Sequence, residues 1–278
     1  MSAFNAEETI AESIESVLKQ SFPNFEFIIV NDGSTDNTKA IIDSFDDKRI
    51  RLIDNNHDTI QSLNIGLKVS IGKYIARHDA NDIMNVDRLK LQYSIMEEFF
   101  DITVCSSWET IFGEKIPKRI IEQKLSGWIE LPLIQLLLED VIINPVYTIR
   151  RSFIEEYHLA YENYTYSEDY KFWSEIAKLN GGFFIDSQPL VFRRTDDMNI
   201  SGKRRLEKLR FESKIKKEVL DFLCCKYRQI YPAITALYNT YYELLDQKLI
   251  SEDDIFRLFH FLFMKNKDIF QSLENNHK

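Results

Sequence analysis

An α/β protein, with a mostly parallel central sheet flanked by helices and an all-helical extension at the C-terminus, is the fold class this sequence predicts. Three observations lead to it. Between Asn5 and about Arg193, short apolar runs alternate with segments whose apolar residues recur at helical spacing, the rhythm of parallel strands joined by covering helices. One of those runs, Phe25-Glu26-Phe27-Ile28-Ile29-Val30, leads into Asn31-Asp32-Gly33-Ser34-Thr35-Asp36, an acidic glycine turn at the kind of strand end where such sheets bind nucleotides. After about Ser201 only helical patterns remain, which places a first domain over residues 1–201 and a helical extension over 202–278.

Each element is read from its own pattern. Asn5 and Glu8 form a capping pair for a helix carrying Ile10, Ile14, Val17 and Leu18 up to Gln20. The strand ending at Asp32 leaves that carboxylate free to accept hydrogen bonds, and a helix follows over residues 38–45. A strand over 49–54, a helix over 59–69 closed by Gly72, and a strand over 73–77 come next. After His78-Asp79-Ala80-Asn81-Asp82 a helix runs over 86–100, with Asp82 either a ligand or the cap of that helix. Residues 102–107 form a strand, 108–128 read as loops, 131–139 as a helix, and 144–151 as a strand entering a helix near Ser152. The helix over 167–179 is stopped by Gly181-Gly182, and strands over 183–186 and 190–193 complete the domain. The extension reads as three helices, 204–223, 231–247 and 253–273.

Composition narrows the function classes. The chain has 278 residues (32.9 kDa), 44% hydrophobic and 28% charged, as expected of a folded protein with a core. A net charge of −9 argues against nucleic acid as a partner, which needs a clustered basic surface. The charge is uneven: residues 203–217 hold eight Lys or Arg against two Glu, either a solvated face or a patch for anionic lipid head groups. Cys105, Cys224 and Cys225 include no Cys-x-x-Cys pair, which suits a reducing compartment and offers no zinc site. No run approaches the roughly 20 apolar residues that span a bilayer. A cytoplasmic protein is expected, with possible peripheral contact at the inner face of the membrane. No Gly-x-Gly-x-x-Gly follows a strand, which argues against a Rossmann oxidoreductase, and no glycine-rich basic loop marks a nucleotidyltransferase.

The strand-Asn31-Asp32-Gly33-Ser34-Thr35-Asp36-helix segment, followed by Gly72-Lys73-Tyr74-Ile75-Ala76-Arg77-His78-Asp79-Ala80-Asn81-Asp82-Ile83, resembles the family 2 glycosyltransferases, whose fold is called GT-A. The resemblance covers about residues 3–201 and implies transfer of a sugar from a UDP-sugar to a glycan or lipid-linked glycan acceptor, as in bacterial lipooligosaccharide and capsule synthesis. It places Phe4, Asn5 and Asp32 around the uracil, with Phe4 alternatively a core residue. It assigns Asp79, Asn81 and Asp82 to ribose or to Mn²⁺ or Mg²⁺ on the diphosphate, hard cations that prefer carboxylate oxygens. Relatives carry aspartate where this chain has Asn81, and histidine where it has Thr195; Arg193, Arg194, Asp196 or Asp197 could substitute, arginine by meeting the diphosphate directly. His78, in place of methionine, reads as a packed or solvated side chain.

Glu168-Asp169 resembles the Glu-Asp pair that opens a helix in relatives, with Asp169 as general base. The alternative is a pair of first-turn acids that complement the helix dipole. Residues 108–128 are expected to loop over the acceptor. The start, Met1-Ser2-Ala3-Phe4-Asn5, resembles a member entered at an internal methionine within its first strand. The departures at Asn81 and Thr195 also admit a second reading, a GT-A homologue that binds nucleotide-sugar or glycan without turning it over.

Overall fold

A computed structural model describes residues 1–114, 116–142, 146–195, 202–229 and 231–275. Asn144, Pro145, Asp196 and Asp197 lie outside them. By contacts the chain forms two compact units: the first comprises Met1–Ile129, Ile142–Asn163 and Gly182–Ile200, the second Glu130–Val141, Tyr164–Gly181 and Ser201–Lys278. This grouping differs from a division in sequence at residue 202. The helix that opens at Glu168 packs on the first helix of the extension, and so belongs with it.

In the first unit, β1 (Ser2–Ala3), β2 (Phe27–Asn31) and β3 (Ile50–Asp54) form a parallel sheet in that order. Every residue of β2 is buried, as its unbroken apolar run requires of a strand covered on both faces. Helices α1 (Ile10–Leu18), α2 (Thr38–Asp43) and α3 (Thr59–Val69) connect these strands and lead on from them. Ile10, Ile14 and Val17 of α1 bury their stripe with Ala3, Phe27, Ile29 and Ile42. β1 pairs only with Val30 and Asn31 of β2. A cavity of about 670 Å³ is lined by Phe27 and Ile28 of β2 and by β4 (Tyr74–Ala76).

A seven-stranded mixed sheet completes the unit: β4, β9 (Thr148–Arg150), β6 (Ile102–Phe112), β10 (Gly182–Arg194) and β5 (Ile83–Met84) in order, with β7 (Arg119–Ile121) on β6 and β8 (Gly127–Trp128) on β10. The parallel expectation holds for β1-β2-β3 and for β6 with β10; the other pairings among the described residues are antiparallel. Helices α4 (Arg88–Glu98) and α6 (Arg151–Glu156) lie in the same unit.

Several local expectations are corrected. Residues 108–128 are not simply loops: β6 runs on to Phe112, and β7 and β8 pair onto it and onto β10. The two short strands expected over 183–193 are one strand with register shifts at Asp186 and Pro189. Asn5 does not cap α1, whose N-cap is Thr9; at φ 45° it turns instead toward the Ser34-Thr35 segment. Asp82 does not cap the following helix, which starts at Arg88 behind Asp87.

In the second unit, α5 (Pro132–Gln135) is shorter than the helix expected over 131–139. α7 (Glu168–Lys178) ends with Asn180 in the left-handed region at φ 60° and the Gly181 N–H on the Ile176 carbonyl, so Asn180 supplies the reversal expected of Gly181-Gly182. α8 (Gly202–Tyr227), α9 (Pro232–Asp246), α10 (Glu252–Lys265) and α11 (Lys267–Asn275) follow. The single helix expected over 253–273 is interrupted at Asn266, whose N–H reaches back to the Phe263 carbonyl. Tyr227, Phe259, Phe263 and Phe270 form the aromatic core of these helices. No helix among the described residues is long and apolar enough to cross a membrane.

Candidate active site

A cleft of about 550 Å³ opens in the first unit beside the C-terminal ends of β1 and β2. Phe4, Asn5, Asp32, Asp79 and Asn81 all line it, residues far apart in sequence that the sequence reading assigned to one site. The parallel strands β1 and β2 deliver Phe4, Asn5 and Asp32 to one rim, and the turn after β4, from the mixed sheet, brings Asp79 and Asn81 to it.

Asp32 lies just beyond the end of β2, 1% exposed, and its carboxylate is not free. It accepts from the Asp58 N–H and Ser62 Oγ at 2.8 Å, and from Asn55 Nδ2 and Thr59 Oγ1 at 3.2 Å. Those four donors match a carboxylate's capacity of about four lone-pair sites. The reason is local: the first turn of α3 and the loop before it present their donors to the strand end. Asp32 therefore fixes residues 55–62, of which Thr59 lines the cleft.

The acidic turn does a second job. The Asn5 N–H donates to Ser34 Oγ (3.1 Å), the Thr35 N–H to Asn5 Oδ1 (2.8 Å), the Ala6 N–H to Thr38 Oγ1 (2.7 Å) and the Glu7 N–H to Asp36 Oδ2 (3.1 Å). These bonds stitch the segment after β1 to the turn after β2. Phe4 is 43% exposed, which removes the core alternative, and its ring stacks on His57 with centroids 4.0 Å apart. An exposed aromatic pair at a cleft rim is a stacking surface for a planar ring.

Asp79 follows β4, with its side chain 36% exposed and Arg77 Nε 3.2 Å from Oδ1. Thr9 and Ser13 donate to the Ala80 and Asp79 carbonyls, fastening the turn to α1 and the residue before it. Behind the turn, the fully buried Arg88 donates to the Arg77 and Tyr147 carbonyls at 2.8 and 3.0 Å, and burial lowers its pKa to about 10. His78 is buried and held neutral, its pKa driven well down by burial and then by the Arg88 charge, with Nε2 3.1 Å from the Asp82 carbonyl. It is a packed residue. Asp82 turns inward, accepts from the Arg194 N–H at 2.8 Å, and has its pKa raised to about 8 by burial and by the Asp79 charge.

Arg193 and Arg194 point to opposite sides of β10, as strand alternation requires. Arg193 grips the buried Glu109 through two bonds of 2.8 Å, and Arg194 lines the cleft. Glu168 and Asp169 occupy the first turn of α7 in the second unit, behind Ser167, with Asp169 buried. Sequence reasoning missed His57, Asn55, Thr59, Ser62 and Arg77. Only one cue for them was legible, Asp58-Thr59 at the head of a helical pattern, and Asp58 is indeed the N-cap of α3.

The model of the family described as glycosyl transferase family 2 matches residues 1–159. The chain belongs to that family. Among its relatives are an uncharacterized glycosyltransferase of Haemophilus influenzae, 35% identical over 79% of this chain and 72% of that protein, and the UDP-Glc:alpha-D-GlcNAc-diphosphoundecaprenol beta-1,3-glucosyltransferase WfgD of Escherichia coli, 31% identical over 65% and 69%. Among solved structures, S. aureus TarS 1-349 in complex with UDP superposes with a TM-score of 0.61 at 18% identity, over 81% of this chain and 70% of that one, which shows the shared GT-A fold.

For a family 2 glycosyltransferase, the donor set on the Asp79–Asp82 turn is poor in anions. Asp79 is bridged by Arg77, Asn81 offers a neutral amide, and the Asp82 carboxyl is committed inward. Among the described residues no group of three or more His, Cys, Asp or Glu side chains could hold a metal ion. Of the one or two carboxylates that, with substrate phosphates and waters, usually hold Mg²⁺, this turn presents to the cleft only Asp79, and Arg77 already bridges it.

Proposed function

We propose that this family 2 glycosyltransferase is an inverting enzyme that moves a hexose or N-acetylhexosamine from a UDP-sugar to a bacterial surface-glycan acceptor of the lipooligosaccharide, capsule or O-antigen type. The observation that carries the donor half is the cleft, with the Phe4–His57 pair at its rim and Thr59 of the Asp32-anchored segment in its wall. WfgD is named for a UDP-glucose donor and a lipid-diphosphate-linked acceptor, and TarS of the same fold has been crystallised with UDP-GlcNAc.

In this reading the uracil stacks on Phe4 and the ribose lies toward Asp79. Asp169 is the general base, a role supported by the Glu168-Asp169 pair at the head of α7, where the helix dipole favours the ionised carboxylate. Asp169 takes the proton of the acceptor hydroxyl, the oxygen attacks the anomeric carbon, and the bond from that carbon to the diphosphate oxygen breaks with its electron pair leaving on UDP. An α-linked donor thus yields a β-glycoside. Holding donor and acceptor in line lowers the barrier alongside the base.

A lipid-linked acceptor fits a peripheral position on the cytoplasmic membrane face. Supporting it, α8 exposes Leu206 and Leu209 among the exposed Arg204, Arg205 and Arg210. Asn81 favours a second reading, a homologue that binds nucleotide-sugar without transfer. Turnover of a UDP-sugar panel separates the two. The enzyme releases UDP in the presence of acceptor, and Asp169→Asn abolishes this while UDP affinity persists. Full turnover by Asp169→Asn removes that residue from the base role, and tight UDP binding with no turnover of any donor by the parent supports the second reading.

A further inference from the structure

We propose that Arg194 supplies the positive charge that receives the donor diphosphate, on the Asp79–Asp82 turn, so that nucleotide binding by this chain needs no divalent cation. This rests on the UDP-sugar reading of the cleft and specifies how that site meets the phosphates.

Four contacts fix where the guanidinium sits. The backbone N–H of Arg194 donates to the Asp82 carboxyl at 2.8 Å, which sets the end of β10 against the turn. Its Nε donates to the Asn81 carbonyl at 3.1 Å, its Cζ lies 4.7 Å from the centroid of the Phe112 ring, and Nη2 pairs with Glu12. The guanidinium is thus backed by an aromatic face and docked on the turn where a cation would otherwise be held. Thermodynamically the Glu12 partner is the weak link. Its side chain is 59% exposed, and an ion pair open to solvent is weakly held. A diphosphate offers the planar fork two oxygens at once and a larger charge, so exchanging Glu12 for phosphate is favourable.

The rest of the turn agrees. Its exposed carboxylate, Asp79, already has a cation in Arg77, whose side chain also lines the cleft. Two arginines, Arg77 and Arg194, therefore stand where relatives of the motif are expected to place a metal. Arg193, one residue earlier, lies on the other side of β10, where Glu109 accepts from its Nε and Nη2, and it does not line the cleft.

Calorimetric titration of the full chain with UDP and with uridine, each in EDTA and in Mn²⁺, tests the inference. UDP affinity in EDTA should lie within about threefold of that in Mn²⁺. Arg194→Ala should weaken UDP by about tenfold or more and leave uridine within about twofold, as expected for loss of a charge-assisted phosphate contact. Uridine binding doubles as the check that the variant is folded. Arg194→Lys, which keeps the charge and loses the fork, should fall between parent and Arg194→Ala. UDP binding that requires Mn²⁺ while uridine binds regardless overturns the inference and leaves the donor reading standing. Equal UDP affinity in parent and Arg194→Ala overturns it too. If neither UDP nor uridine binds under any condition, the donor reading itself fails, and the inference with it.

Discussion

At Gly33 the backbone takes φ +76°, and an added Cβ would stand 3.0 Å from the His57 N. Both facts exclude a side chain, because L-residues avoid this region and the neighbour is backbone. Gly33→Ala should lower stability by about 1–3 kcal/mol in urea unfolding. Gly66→Ala, in α3 with nothing within 4 Å of the new Cβ, should raise it by about 0.5–1 kcal/mol. Equal effects would mean that the acidic turn is not held as described. Residue by residue, the sequence was readable where type and place coincide: Asp32 at a strand end, Asp79 after β4, two acids opening α7. It could not reveal partners. That Asp32 spends its lone pairs on residues 55–62, or that Glu109 captures Arg193 and leaves Arg194 to the cleft, depends on contacts across 23 to 84 positions of chain.

Helix α7 shows the same limit for an element and carries two tests. Its start and length follow from the sequence pattern, yet its buried face includes Lys171, paired with Glu175 of the same helix at 2.6 Å and with Glu218 of α8 at 2.8 Å. Burial would push both carboxyls up, but the contacts with Lys171, joined by Lys178 at Glu175 and by Tyr164 at Glu218, outweigh it and hold their pKa values below normal. Their contribution is therefore present above the unfolded value near pH 4.3 and is lost as acid protonates them in the fold. Lys171→Met should cost about 2–3 kcal/mol at neutral pH, with the deficit shrinking below about pH 4 as the two carboxylates protonate. A deficit that stays constant between pH 3 and 7 would mean that packing, rather than the ion pairs, is lost. For α8, sedimentation with anionic vesicles reads the membrane contact: binding should weaken with salt and drop about tenfold or more in a Leu206→Glu, Leu209→Glu variant. Equal binding of that variant would locate the contact elsewhere. Strands β5, β7 and β8 were illegible because two or three residues carry no period; only their pairing partners define them.

Over the whole molecule, the alternation of strands and helices was enough to announce the fold class. The unit boundaries were less accessible, since residues 130–141 and 164–181 join the C-terminal helices through packing and not through sequence order. The cleft, by contrast, is built within one unit, and UDP should slow amide exchange at residues 55–62 and 79–82. At a UDP concentration of about 100 Kd the linked stabilisation is about 2.7 kcal/mol. Unchanged exchange in both segments under saturating UDP would put the nucleotide in another place. Arg88 gives this layout a further consequence. Because one buried guanidinium grips the carbonyls of Arg77 and Tyr147, the cleft has a hidden rear anchor on α4, 11 positions downstream of Arg77. Efforts to reprogram donor preference that randomise only visible cleft positions will leave that anchor untouched, whereas a change at Arg88 or at its neighbour Gln92 reshapes the turn from inside the molecule.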